Sequence, residues 1–268
     1  MKKRDFCRVV MLISAMMSFN ALAFDTSRIE DPEVRACADR ALPTKTAYQL
    51  QKVEVIGSGG YVRESLRKMY WRRSTENDSR ILVRVLEPVD DKGVAVLIND
   101  DADRNVVSYM TYSPKLRRVR RVTGESFFGS ILGTDFTYED FSFFYRVDER
   151  EEVVRVDDSE VDGFPSYVLE TVKPGEEATY SLVRFFIDKD FCLPMKSEFL
   201  SLNGELRKEL IVDRAEVKNV DDHWVPYKTT MLDRKLETQS IFTVLEVEID
   251  PDLHEAMFEV TSLKRGTF

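Results

Sequence analysis

The sequence predicts a mainly β protein, a long antiparallel meander curved into a strongly bent sheet or barrel. Three observations carry that reading. From about residue 52 onward the chain falls into short runs rich in β-branched and aromatic residues, each closed by turn residues. Apolar and charged residues alternate at Leu245-Glu246-Val247-Glu248-Ile249, and Ile81, Val83 and Val85 alternate with Arg80 and Arg84, the period of strands with one wet face. No helical stretch of the roughly 10–15 residues found in βα units separates consecutive strands, which excludes a parallel doubly wound sheet.

The chain opens on an address. Lys2, Lys3, Arg4 and Arg8 precede an uncharged run over residues 9–23 that ends in Ala21-Leu22-Ala23, the small-x-small pattern of a signal peptidase site. Residues 1–23 are therefore expected to be a cleaved signal peptide, with Phe24 as the mature N-terminus. The alternative is an uncleaved anchor, but its 15 uncharged residues fall short of the roughly 20 that span a bilayer. Cys7 lies before the apolar run and so is not positioned for lipidation. No later uncharged stretch exceeds the ten residues 105–114, so the exported chain is expected to be soluble, most simply in a bacterial periplasm.

Residues 31–41, DPEVRACADRA, read as a helix with Asp31 as N-cap, Pro32 at the first helical position and Glu33 in the first turn. Strand runs follow at 52–55, 64–73, 80–87, 94–99, 106–112, 116–122, 145–156, 166–172, 179–188, 195–202, 206–217, 225–232 and 239–249, read as about eleven strands once mergers are allowed for. Asp91-Lys92-Gly93, Val161-Asp162-Gly163, Pro174-Gly175, Asn203-Gly204 and Asp221-Asp222 punctuate them. Nothing marks a linker, so residues 24–268 are read as one domain.

Residues 125–144, ESFFGSILGTDFTYEDFSFF, break the strand pattern. Phe127, Phe128, Phe136, Tyr138, Phe141, Phe143 and Phe144 join Ile131 and Leu132, with Gly129 and Gly133 expected to make the middle flexible. Thr137-Tyr138-Glu139-Asp140 has the form of a capped helix start. Such a segment must bury its rings, either as a lid over a cavity or as ordinary core.

Composition narrows the function classes. Of 268 residues, 43% are hydrophobic and 32% charged, which supports a packed globular protein. Removing residues 1–23 takes four of 39 basic and one of 48 acidic residues, leaving 35 against 47 and a charge of −12. That balance argues against a nucleic-acid partner. With two histidines and no C-x-x-C pair, no metal site is expected. Asp100, Asp101, Asp103, residues 148–152, Asp157, Asp158 and Glu160 lack the glycine-spaced order of a calcium loop. Gly57-Ser58-Gly59-Gly60 lacks the Lys-Ser or Lys-Thr of a phosphate loop, and no G-x-S-x-G elbow exists. His223 and His254 lie in acidic, turn-like surroundings and are read as solvated. No catalytic residue and no cofactor are expected, and the chain is not read as an enzyme.

Two further features carry open alternatives. Cys37 and Cys192 are the only cysteines after residue 23; an oxidising compartment lets them form a bridge, and two separate buried thiols are the alternative. In residues 115–122, Lys115, Arg117, Arg118, Arg120 and Arg121 make five of eight positions cationic. They either contact an anionic lipid headgroup or acidic partner, or pair across the sheet with the acidic run at 148–152.

Tyr112-Ser113-Pro114, residues 116–121 and Gly133-Thr134-Asp135-Phe136-Thr137-Tyr138-Glu139-Asp140-Phe141 resemble the P-x-x-R-R-V-R-R … G-[ST]-D-F-T-Y-E-D signature of the LolA/LolB-like outer-membrane lipoprotein-sorting family, in its larger branch. Trp224-Val225-Pro226 and residues 258–263 are similar to later landmarks of that family. The resemblance spans about residues 45–265. It implies an incomplete, unclosed antiparallel β-barrel around an apolar cavity with helices covering the mouth. It also implies a carrier for a lipid or acylated lipoprotein between inner and outer membranes, with transient membrane contact and an inner-membrane transporter of the resistance-nodulation-division type as partner. Phe127, Phe128, Ile131, Leu132, Phe136, Tyr138 and Phe141 are then the candidate lid and cavity residues, and the four arginines the candidate headgroup or partner contact. The competing readings are a structural or accessory envelope protein whose barrel is self-filled, and an accessory to a lipid-processing enzyme.

Overall fold

The computed structural model describes residues 29–41, 45–75, 78–101, 106–143, 152–172 and 178–265. The signal peptide, the start at Phe24 and most of the acidic run at 148–152 lie outside the described residues. One helix, α1 (Pro32–Arg40), precedes the strands. Asp31 caps it as expected, its carboxylate accepting from the backbone N–H groups of Glu33 and Val34.

Among the described residues fifteen strands follow: β1 (Thr46–Ile56), β2 (Val62–Thr75), β3 (Asp78–Glu87), β4 (Ala95–Asp101), β5 (Val106–Ser113), β6 (Arg118–Arg121), β7 (Glu152–Val161), β8 (Phe164–Val172), β9 (Tyr180–Asp188), β10 (Pro194–Ser201), β11 (Leu206–Val212), β12 (Val217–Val220), β13 (His223–Pro226), β14 (Lys228–Asp233) and β15 (Thr238–Ile249). The excess over eleven has local causes. The run 206–217 breaks where the Asp213 side chain accepts from Ala215 N and turns the chain into a 3-10 turn, Arg214–Glu216. The run 225–232 divides between a small β12–β13 ribbon and β14.

Thirteen strands form one antiparallel sheet in the order β6-β5-β4-β3-β2-β1-β15-β14-β11-β10-β9-β8-β7. Two meanders are thus zipped together by β1 and β15, with Ala47 opposite Ile249 and Ile56 opposite Gln239. The two free edges, β6 and β7, are consecutive in the chain. Residues 122–143 between them run over the concave face, and the sheet is unclosed among the described residues. A second short helix, α2 (Tyr138–Ser142), forms within it, with Thr137 and Asp140 making the capping box.

The main core fills the concave face: Trp71, Phe185, Phe199 and Leu169 from the strands meet Val34 and Cys37 of α1 and Phe136, Phe141 and Phe143 of the crossing segment. The expectation of one wet face fails on β3. Leu82 points outward yet is buried with Leu97, Met257, Phe258 and Leu263, because the 3-10 turns Glu255–Phe258 and Val260–Lys264 fold back over the convex side. Arg84, read as solvated, is buried there beside the Ser262 and Leu263 carbonyls. The alternation at the end of β15 also fails locally. Gln51 pairs Val244 and Leu50 pairs Glu246, so Leu245 is a bulge residue and turns outward.

Candidate functional site

The concave face holds a cavity of about 760 Å³ with its mouth included, of which about 70 Å³ is clear for a water-sized body. Strand alternation sets its wall. Gln49 and Gln51 on β1 share a face with Ala47 and Val53, and Arg67 on β2 shares one with Met69 and Trp71. Val83, Phe242, Val244 and Leu210 complete the sheet side. The crossing segment supplies Ile131, Leu132, Phe136 and Phe141 as the roof, with Phe136 packed edge-on against Phe141 and Phe242.

Three other residues expected in that roof lie elsewhere. Tyr138 stacks on Tyr109 at 5.4 Å between ring centres, and burial pushes its hydroxyl up to about 12. Phe127 meets the same Tyr109 at 5.9 Å, and the exposed Phe128 covers Phe127. They form an aromatic ledge beside the cavity wall because the 3-10 turn Gly124–Phe128 lies close to the β5–β6 edge before the segment dips inward.

The roof is fastened by polar contacts at Asp135, read from sequence only within the signature, and at Glu139 and Asp140, read also as part of a helix cap. Asp135 accepts from the hydroxyls of Ser240 (2.6 Å) and Thr238 on β15. Glu139 accepts from Thr179 N at 2.9 Å. Asp140, fully buried, accepts from Lys208 Nζ at 2.7 Å, Tyr180 Oη at 2.6 Å and Thr137 N at 2.7 Å. Burial, then the Asp140 charge, drives the Tyr180 hydroxyl far above its ordinary range. Lys208 also donates to the Asp135 carbonyl at 2.7 Å. Gly133 has a structural reason beyond freedom of motion. Its φ is +71°, and an added Cβ would sit 2.0 Å from Arg63 Nη2, which donates to the Gly133 carbonyl.

The two ends of the sheet differ. At one end α1 is stitched down: the Cys37–Cys192 disulfide joins it to the β9–β10 turn with an S–S distance of 2.00 Å. Glu33 accepts from Tyr167 Oη at 2.9 Å, and Asp31 pairs with Arg155 at 2.7 Å. At the other end lies a polar vestibule lined by Arg63, Ser65, Asp91 and Val94, which meets the apolar space at Arg67 and Leu132. Among the described residues the antiparallel registers bring five complete turns to this end, after β1, β3, β5, β10 and β14. Each carries one strongly exposed apolar residue: Tyr61 (75%), Val89 (85%), Leu116 (56%), Leu202 (66%) and Leu236 (56%). No other large hydrophobic among the described residues is as exposed.

Of the acidic run at 148–152 only Glu152 is described, and it pairs with Val172 at the sheet edge opposite β6, away from the basic run. β6 bonds only to β5, with Ser113 opposite Arg118 and Met110 opposite Arg121, while β7 forms the opposite edge. Between these edges in the chain, residues 122–143 pass over the concave face. Lys115, Arg117, Arg118, Arg120 and Arg121 are exposed, and among the described residues none of their side chains has a hydrogen-bond or ion-pair partner. His223 is a second correction: it is buried in the β12–β13 ribbon, with Nδ1 2.5 Å from the Asp221 carbonyl. Asp221 and Asp222 take positive φ and fold the ring inward. His254 is exposed and caps a 3-10 turn through Ala256 N. Among the described residues there is no cluster of potential metal ligands and no helix long and apolar enough to cross a membrane.

Sequence reasoning missed Arg63, Arg67, Gln49, Gln51 and Lys208. A signal existed for most of them, since Gln49, Gln51 and Arg67 occupy the inward phase of strands whose other inward residues are apolar.

A family model described as "Uncharacterized protein" matches residues 77–265. No curated protein matches the chain. Among solved structures, a domain described as outer membrane lipoprotein-sorting from Vibrio parahaemolyticus is 21% identical, with a TM-score of 0.73 over 82% of this chain and 92% of that one. A DUF1329 family protein from Desulfovibrio piger is 24% identical, with a TM-score of 0.72 over 82% and 92%. A LolA superfamily protein from Nitrosomonas europaea is 16% identical, with a TM-score of 0.61 over 82% and 93%. These likenesses establish the fold.

Proposed function

Because the chain belongs to the family whose model spans residues 77–265 and has a LolA-type fold, we propose that it is a non-catalytic periplasmic carrier. It shields the acyl chain of a lipid or lipoprotein on the way between inner and outer membranes. The observation that carries this reading is an apolar cavity under a roof of Ile131, Leu132, Phe136 and Phe141, leading to a vestibule at the end of the sheet away from α1. Each methylene moved from water into such a space is worth about 0.8 kcal/mol, so part of one chain holds cargo without a covalent bond. The small clear volume requires the roof to lift off the sheet.

The five apolar turn tips and the unpaired cations of residues 115–121 suit contact with an anionic bilayer, tips in the interfacial zone and cations at the phosphates. Transfer from an inner-membrane transporter would use the same end. The self-filled alternative is favoured by the tight packing of Phe136 and Phe141.

Native mass spectrometry of protein released gently from cells, with organic extraction of what travels with it, separates the two. Copurifying lipid or uptake of a fluorescent fatty acid supports the carrier; a protein that arrives empty and takes up none rules it out. The same spectra test export, for which the expected mature chain begins at Phe24.

A further inference from the structure

The apolar cavity contains a full positive charge without a counter-charge. Arg67 is 4% exposed and lines both the cavity and the vestibule. Its Nε donates to Ser65 Oγ at 2.9 Å and its Nη2 to the Leu132 carbonyl at 3.1 Å. Both acceptors are neutral, and a guanidinium has five N–H donors, so three remain. Among the described residues no carboxylate forms an ion pair with it. The charges that act on it are Arg63, which repels it, and Asp91, whose attraction is weaker; burial is the largest effect and lowers it to about 10, where it still carries its charge at neutral pH. Gln51, opposite Arg67 in the β1–β2 register, and Gln49 beside it are buried on the same wall. Arg63 stands on the vestibule side, held by the Gly133 carbonyl at 2.6 Å.

A buried, uncompensated guanidinium is unfavourable unless something anionic reaches it. Here it stands where an apolar channel becomes polar, with donors to spare and a second arginine behind it. We propose that Arg67 anchors the oxyanion head, carboxylate or phosphate, of a single-chain amphiphile whose acyl chain runs into the cavity and whose head faces Arg63; this assignment rests on the carrier reading above. The planar fork matches two oxygens of either head group. The narrow clear space favours one chain over two.

A mere latch for the roof would need only hydrogen bonds to Leu132, and ligand charge would not matter to it. The experiment therefore compares ligands that differ in charge. Delipidated full-length protein is loaded with a pyrene-labelled fatty alcohol, and the probe is displaced by palmitate, hexadecyl phosphate, methyl palmitate or inorganic phosphate. Wild-type protein is expected to bind at least one of the two anionic amphiphiles about 10- to 100-fold more tightly than the ester, the span of one or two charge-assisted hydrogen bonds. Which anion wins identifies the head group, and inorganic phosphate alone should not displace the probe. Arg67→Gln should abolish the preference, bringing anions and ester to similar affinity, and Arg67→Lys should restore part of it.

Equal wild-type affinity for anions and ester overturns the assignment without touching the carrier reading. So does a folded Arg67→Gln variant that loses all ligands equally, or displacement by inorganic phosphate alone. If neither probe nor ester binds, the carrier reading itself falls. The wild-type ratio decides the matter even should the variants fail to fold.

Discussion

The two ends of the curved sheet are built from the same strands by opposite means. At the α1 end, a disulfide, the Asp31–Arg155 pair and the Tyr167–Glu33 hydrogen bond hold the helix over the core. At the other end, five turns present bare apolar tips and the vestibule opens between them. Interactions at the first end are made within the chain, and their loss lowers stability. Those at the second have no partner within the described chain, so their loss should spare stability and affect only what the protein meets.

Between the ends lies the roof, and breaking its fastening is expected to have the largest effect. Lys208→Met leaves the buried Asp140 carboxylate without its cation, which costs about 3–5 kcal/mol. Urea denaturation should show a loss of that size, and Lys208→Met combined with Asp140→Leu should recover a large part of it. If the single variant loses less than about 1 kcal/mol, the pair does not fasten the roof.

Next in size is the disulfide. Replacing Cys37 and Cys192 by alanine should lower stability by about 2–5 kcal/mol and raise hydrogen exchange in α1, with the turn tips unchanged. A stability change spread evenly over both ends would remove the contrast drawn here.

Smaller still in stability is the loss of the tips. Changing Tyr61, Val89, Leu116, Leu202 and Leu236 together to serine should shift unfolding by no more than about 0.5 kcal/mol per site. Flotation with anionic vesicles should nevertheless fall sharply, more than with neutral vesicles. Undiminished flotation would mean the tips do not meet a bilayer.

The smallest effect is acid-dependent. Hydrogen bonding to Arg155, then to Val34 N, holds the Asp31 carboxyl below its ordinary value of 3.8. A lowered folded value means the stabilisation is fully present above the ordinary aspartate range and lost as pH falls through the depressed value. Melting temperatures of wild type and Asp31→Asn should therefore differ near neutrality and converge in strong acid. Parallel curves down to pH ~2 would show that Asp31 does not titrate as described.

Strand identity, the α1 cap and the α2 capping box were all legible in the sequence because they depend on residues close in the chain. Alternation is a local property, and so is a carboxylate three residues from the N–H it accepts. A pairing of β6 with the acidic run at 148–152 looked reasonable by charge, yet β6 and β7 stand at opposite edges of the sheet, which nothing local records. The buried state of His223, the covered outer face of β3 and the sorting of Phe136 and Phe141 into the cavity, with Phe127, Phe128 and Tyr138 outside it, have the same origin. Each depends on which distant segment packs against the residue.

The sequence by itself determined a β meander with one capped helix, an aromatic insert that had to be buried and two cysteines suited to a bridge. Tertiary structure alone decided that β1 and β15 zip the two meanders together, that Lys208 reaches Asp140 across 68 positions of sequence, and that Arg67 stands uncompensated where the cavity meets the vestibule. The physical reason is range. Periodicity and capping act over a few residues, whereas charge compensation and burial are settled by neighbours that only the closed fold brings within a few ångströms.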